Sequence, residues 1–316
     1  MGNRRVWLII TTVAFIALIS VYINFQRDLL EYLKNVNFTI LAYLMIIAIL
    51  FQITTGLILR EVASKFNIIL NLKEWLGLPF VTAMGNYVTP FSGGMIARAS
   101  YLKYRHRFPY AQFVSVLGAS YLVYFWVAGI AGAITLMLTL ERSQLYWELI
   151  LFFLAVMVII SFFSMLPGIK IPGSNWLTVS LNNAIDGWIF IKRDPLLLGK
   201  LAIYTLANIL LNGLSFWLAF VALADFSLSF GIIFLISLFS SFSILLKITP
   251  GNLGISEAVI TLSSGILGVG AGLGLLAALV IRAVSLILIF TLGPVFSFLL
   301  ARELTAHHSR DKSEAV

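Results

Sequence analysis

The chain has 316 residues, of which 60% are hydrophobic and 11% charged, with no cysteine and a formal net charge of +8. A soluble domain carries about 25% charged residues, so a mean hydropathy of +1.01 leaves too little polar surface for a water-exposed globule of this size. The absence of cysteine excludes disulfides, thiolate chemistry and cysteine-bound metal, and the basic residues sit in short clusters between apolar runs, as in membrane-flanking loops rather than a nucleic-acid surface.

In chain order, the first element is an apolar run at residues 6–23 behind a basic start. It is longer than a signal-peptide core and no small-residue cleavage site closes it, so it is predicted to be a retained span that begins in the cytoplasm. Further runs at residues 38–59, 111–140, 149–166, 198–223 and 271–300 also approach or exceed the roughly 20 apolar residues that cross a bilayer. Two apolar stretches are interrupted. Residues 76–90 carry Gly85, Asn86, Thr89 and Pro90, and residues 230–248 run through Lys247 into Thr249-Pro250-Gly251-Asn252. The basic clusters can all lie in the cytoplasm only if residues 76–90 insert and return from that side and residues 230–265 insert and return from the other. The predicted fold is therefore all-α: a polytopic helical membrane protein of about six full spans plus two opposed re-entrant, broken helices, in the manner of an inverted repeat. A full crossing by residues 230–248 is the alternative. Residues 1–301 form a single membrane-embedded domain and residues 302–316 a polar tail. Both termini are expected in the cytoplasm and the protein in the cell (inner or plasma) membrane.

Residues 167–194 are not an ordinary loop. Leu177, Leu181, Ile185, Trp188 and Lys192 recur at helical spacing, with Ser180, Asn182, Asn183 and Asp186 mostly between them. Two readings stand: a helix lying in the headgroup plane, or a solvated connector helix.

The two interruptions match each other. Val88-Thr89-Pro90-Phe91-Ser92-Gly93-Gly94-Met95 aligns with Ile248-Thr249-Pro250-Gly251-Asn252-Leu253-Gly254-Ile255 at a constant offset, and Thr, Pro and the final Gly coincide. Proline removes a backbone donor and clashes with the preceding turn, and the glycines permit left-handed backbone. Such a break frees N–H and C=O groups that cannot face hydrocarbon, so it is tolerated where it is buried in protein or lines a wet cavity. Paired Gly/Pro breaks point to a transporter's midplane site; two Pro kinks without a ligand are the plain alternative.

Charges flank both breaks. Arg98 follows the first, Glu257 follows the second, and Arg282 interrupts the last apolar run. A charge at that depth costs about 2.5–3.5 kcal/mol, so Glu257 is expected to pair with Arg282, Arg98 or both, either to serve a ligand or as a structural tie. Lys247 is a fourth member of the set or snorkels to an interface. Two guanidiniums and one carboxylate leave a positive excess suited to an anionic group such as a lipid phosphate.

Pro250-Gly251-Asn252-Leu253-Gly254-Ile255-Ser256-Glu257-Ala258 resembles the Pro-Gly-Gly-Leu-Gly-x-x-Glu-Ala signature of the lysylphosphatidylglycerol synthase transmembrane-region family. Asn86-Tyr87-Val88-Thr89-Pro90, Gly94 and Arg98 resemble its first motif, and Arg282 matches an arginine of its last spans. Asn252 stands where glycine is commoner and Ser256 where a basic residue is frequent. The resemblance implies a flippase-like fold and lipid translocation. The synthase activity of fused relatives belongs to a separate soluble domain for which residues 302–316 leave no room, so it is not carried over.

No enzyme site is expected. His106, His307 and His308 are the only histidines, no Ser-His-acid set occurs, and Gly199-Lys200 runs into leucine rather than Ser or Thr, against an ATP loop. A membrane-embedded transferase using Glu257 as a base is the one enzymatic alternative. The reading is a lipid flippase or scramblase acting on an anionic phospholipid or lipid-linked intermediate. Its substrate-binding candidates are Arg98, Glu257, Arg282, Asn86, Thr89, Pro90, Gly94, Thr249, Pro250, Gly251, Asn252 and Gly254. No cofactor, metal or nucleic acid is expected; the partner is a membrane lipid. A lipid-modifying enzyme encoded nearby and a second copy of the chain are further partners the sequence admits. The alternative function is a non-transporting membrane module that anchors or regulates a cell-envelope enzyme.

Overall fold

The computed structural model describes residues 37–139, 143–165, 170–224, 228–246 and 248–314. The predicted span at residues 6–23 and the side chain of Lys247 lie outside them. The described residues are helical throughout, without strands. In chain order the helices are α1 (Phe38–Lys65), α2 (Leu72–Val88), α3 (Gly93–His106), α4 (Tyr110–Thr139) and α5 (Gln144–Met165). They continue with α6 (Trp176–Lys192), α7 (Pro195–Leu223), α8 (Phe230–Phe242), α9 (Ile255–Ile266) and α10 (Ala271–Glu314). Single 3-10 turns, Ser243–Leu246 and Pro250–Asn252, join α8 to α9.

Five of these helices, α1, α4, α5, α7 and α10, are long and apolar enough to cross a membrane. They coincide with the five runs read from composition after the first. Their outer faces stay apolar: Met137, Leu138, Leu151, Val158 and Phe162 are all exposed, which in water would be a large unsatisfied patch and in lipid is the matched surface. This is a polytopic helical membrane protein. Among the described residues, Phe230–Leu246 is a shorter apolar helix and not one of these five. The helix there has 13 residues before its 3-10 turn, and α9 has 12. At 1.5 Å per residue each is about 20 Å or less, shorter than the roughly 30 Å hydrocarbon core.

The described chain divides into two compact units interleaved along the sequence. One gathers α1 up to Phe51, Thr82–Met95 and Leu210–Gly293. Its core joins Leu44 of α1, Phe216, Ala219 and Phe220 of α7, Ile233 and Ile236 of α8, Ile260 of α9, and Leu276, Ala277 and Val284 of α10. Small residues set the close approaches. The ring of Phe234 lies where a Cβ on Gly213 would fall, and the Ser264 side chain does the same at Gly274.

The other unit gathers Gln52–Val81, Ile96–Ile209 and the chain from Pro294 on. There α4 packs on both α5 and α6. Gly132 makes room for the fully buried ring of Phe153, and Gly187 for the side chain of Ser115. The Ser115 hydroxyl donates to the Asn183 carbonyl. From α6, Trp188 Nε1 and Lys192 Nζ both donate to the Ser164 carbonyl, at 3.3 and 2.6 Å. The segment read as either a headgroup-plane helix or a solvated connector is thus a helix packed along α4. Gly187 meets Ser115 of α4, and Trp188 and Lys192 of the predicted stripe reach Ser164.

The same unit holds a polar knot that composition did not flag. Asn71 and Glu74 form a capping box at the start of α2: the Asn71 N–H donates to Glu74 Oε2 at 2.9 Å and the Glu74 N–H to Asn71 Oδ1 at 3.0 Å. Glu74 is 1% exposed. Its Oε1 accepts from the Tyr101 hydroxyl at 2.8 Å, lies 2.9 Å from His106 Nε2 and 3.8 Å from Arg105 Nε. Burial pushes this carboxyl up, but the hydrogen bonds from His106, the Asn71 N–H and Tyr101, with the nearby His106 charge, outweigh it and hold the group below the ordinary glutamate range.

Candidate functional site: an ion pair beside a broken hairpin

The site belongs to the first unit and starts with backbone. After Pro250, Gly251 and Asn252 both take left-handed conformations, φ +58° and +57°. After Pro90, Phe91 and Ser92 do the same, φ +53° and +55°. The residues at equivalent places in the two sequence motifs share closely similar positive φ values, so the match extends from sequence to backbone. A left-handed non-glycine residue costs about 1–2 kcal/mol, and Phe91, Ser92 and Asn252 all bear that cost.

At the first break Thr89 Oγ1 donates back to the Gly85 carbonyl at 2.6 Å. Gly85 and Gly94 touch: a Cβ on Gly94 would fall 1.9 Å from the Thr82 carbonyl oxygen, and one on Gly85 would fall 2.7 Å from Gly94 Cα. Only glycine lets these strands of chain meet. At the second break Thr249 Oγ1 donates forward to the Leu253 carbonyl at 2.8 Å. Gly254, at φ +83°, precedes α9, and its N–H donates to Glu257 Oε2 at 2.8 Å. A carboxylate on the first turn of a helix is favoured by the dipole, so the sequence Gly-x-x-Glu fixes the side chain locally before any tertiary contact.

The remaining carboxylate oxygen of Glu257 meets Arg282 of α10 in a buried ion pair. Glu257 is 3% exposed. Arg282 also donates from Nη1 to the Gly251 carbonyl and from Nη2 to the Ser256 hydroxyl, each at 3.0 Å. One guanidinium therefore ties together a carbonyl freed by the Pro-Gly break, a hydroxyl and a carboxylate. The Tyr87 ring stands 5.7 Å from it and occupies the space a Cβ on Gly251 would need. A cavity of about 200 Å³ opens beside the pair, lined among others by Asn212, Ser240, Ser256, Arg282 and Ser285. A second, of about 140 Å³, is lined by Ala83, Asn86, Tyr87, Ser92, Thr249, Gly251 and Asn252. Tyr87 and Gly251 belong to both walls.

The structure brings together Glu257, Arg282 and Gly251 at one cavity, and Asn86, Thr249, Gly251 and Asn252 at the other. Thr89, Pro90, Gly94, Pro250 and Gly254 shape backbone around them. Arg98 is placed in the other unit, where it is buried with its guanidinium 5.6 Å from the Phe113 ring. Tyr87 was not singled out from sequence, although it adjoins Asn86 in the first motif. Ser256 appeared only as a departure from the family pattern, yet it is an arginine partner.

Fold and site define a class: a multi-pass helical membrane protein with a charged centre beside a broken hairpin. The sequence profile described as Lysylphosphatidylglycerol synthase TM region matches residues 8–293, and the chain belongs to that family. Among curated proteins and among solved structures no match to it is found.

Proposed function

We propose that the protein translocates a membrane lipid, an anionic phospholipid or lipid-linked intermediate, between leaflets of the cell membrane. The observation that carries this reading is the buried Glu257–Arg282 pair at the broken α8–α9 hairpin, opening on a cavity; among the described residues of its unit these are the only charged side chains. Two stranded charges beside freed backbone are costly in a membrane, and such sites mark polar pathways. Nη1 and Nη2 each have a second N–H with which to meet a phosphate. Glu257 either yields Arg282 to the phosphate or takes up a proton as it does so. The acyl chains stay in lipid while the headgroup crosses. In this reading the two broken hairpins insert from opposite faces, both termini are cytoplasmic, and the protein is not an enzyme. Its partner is the lipid itself.

The test is reconstitution of the purified protein into vesicles and measurement of labelled phospholipid exchange between leaflets. Glu257→Gln and Arg282→Ala are expected to slow exchange at least about tenfold, the effect of losing 1.4 kcal/mol of barrier lowering. Exchange unchanged in both variants would rule the reading out.

A further inference from the structure

The smaller cavity has chemistry that a phosphate does not use. Asn252 lines it and is 8% exposed. Its Nδ2 donates to the carbonyl oxygen and the hydroxyl of Ser243, at 3.2 and 2.8 Å. A carbonyl oxygen can only accept, so this contact fixes which end of the amide is nitrogen. Oδ1 then takes the other side, buried and without a partner. Asn86 lines the same cavity, and its Oδ1 is likewise buried and unpartnered. The Thr249 hydroxyl is not aimed at them, since it donates to Leu253. Burying two acceptors with no donor is unfavourable unless a donor arrives. Nor does the backbone ask for an asparagine: at φ +57° glycine would be the easier residue at 252. What asparagine adds is the Nδ2 tie to Ser243 and, with it, an acceptor left over.

We propose that this cavity is a headgroup subsite for a hydrogen-bond donor, an ammonium or hydroxyl terminus of the lipid headgroup accepted by Asn86 and Asn252, with the phosphate held next door at Arg282. The two cavities share Tyr87 and Gly251 as wall, so a headgroup with phosphate at one end and donors at the other fits across them. The inference rests on the lipid role proposed for the Arg282 cavity and adds which lipids it prefers.

The experiment measures equilibrium binding of lipids to the full-length protein purified in detergent, in two matched pairs. Phosphatidylethanolamine and phosphatidylcholine share the phosphate, but only the first has N–H donors. Phosphatidylglycerol and phosphatidylpropanol share the charge, but only the first has hydroxyls. Wild type is expected to bind the donor-bearing member of at least one pair about fivefold more tightly, the scale of one added hydrogen bond. A preference in the first pair assigns an ammonium and in the second a hydroxyl. Asn252→Gly, which suits the backbone, is expected to bring that ratio near one; Asn86→Leu provides the same reading if that variant misfolds. Equal binding within both pairs overturns the proposal, as does a preference that persists in both variants or a failure to bind any of the four lipids. Preference without leaflet exchange in vesicles would keep this subsite and remove the transport reading.

Discussion

Gly251 illustrates how much one residue decides. It holds φ +58°, and a Cβ there would fall 2.3 Å from the Tyr87 ring. Gly251→Ala should therefore lose about 2–4 kcal/mol, left-handed strain plus overpacking, read as a lowered midpoint of thermal unfolding in detergent. Phe91 is its counterpart at the first break, at φ +53° but 71% exposed. Phe91→Gly should raise stability by about 1 kcal/mol, since strain is relieved and little burial is lost. The Glu257–Arg282 pair separates structure from function at the same scale. Arg282→Ala leaves a buried carboxylate alone and should cost about 3–5 kcal/mol. The double change Glu257→Leu with Arg282→Met removes both charges and should recover most of that stability, yet remain inactive in leaflet exchange. A double variant that regains exchange would mean the pair is only a tie.

Among elements, α2 depends on its first turn. The Asn71–Glu74 capping box and the Tyr101, His106 and Arg105 contacts converge on one buried carboxylate. Because the Glu74 carboxyl is held below the ordinary glutamate range when folded, its stabilisation is fully present above that range. It is lost as pH falls through the lowered folded value. Wild type should lose thermal stability on acidification in that window, and Glu74→Gln should be less stable near neutrality but lose less on acidification. An acid slope of equal steepness in the variant would place the sensitivity elsewhere. The α4–α5 contact depends on Gly132, where a Cβ would fall 2.3 Å from the Phe153 ring. Gly132→Val should cost about 1–3 kcal/mol through overpacking, visible in the same unfolding measurement. These packing details were not legible in sequence. Gly132 and Gly187 look like any glycine of an apolar run, and Glu74 like any charge beside a loop, until neighbouring helices supply Phe153, Ser115 and Tyr101.

At the scale of the whole molecule, the two breaks share a local signature. Two Thr-Pro motifs are each followed by two residues of positive φ. Opposite insertion of the two hairpins is tested with single cysteines at Phe91 and Ile248, both exposed, in a chain that has no cysteine of its own. Impermeant thiol reagents are expected to reach the two positions from opposite faces; labelling of both from one face would remove the opposed arrangement. What the sequence alone determined is the set of apolar spans after the first and the two breaks, because lipid matching needs only composition and length and proline stops a helix through its own ring. The Gly254–Glu257 cap was equally local. Tertiary structure decided which of two arginines the sequence offered would be drawn in the ion pair with Glu257, that Tyr87 would stand between two cavities, and that Asn86 and Asn252 would have acceptors to spare. Those outcomes depend on which faces of separate helices meet, and the energy of a buried charge or amide is set by the partner a few ångströms away rather than by its neighbours along the chain.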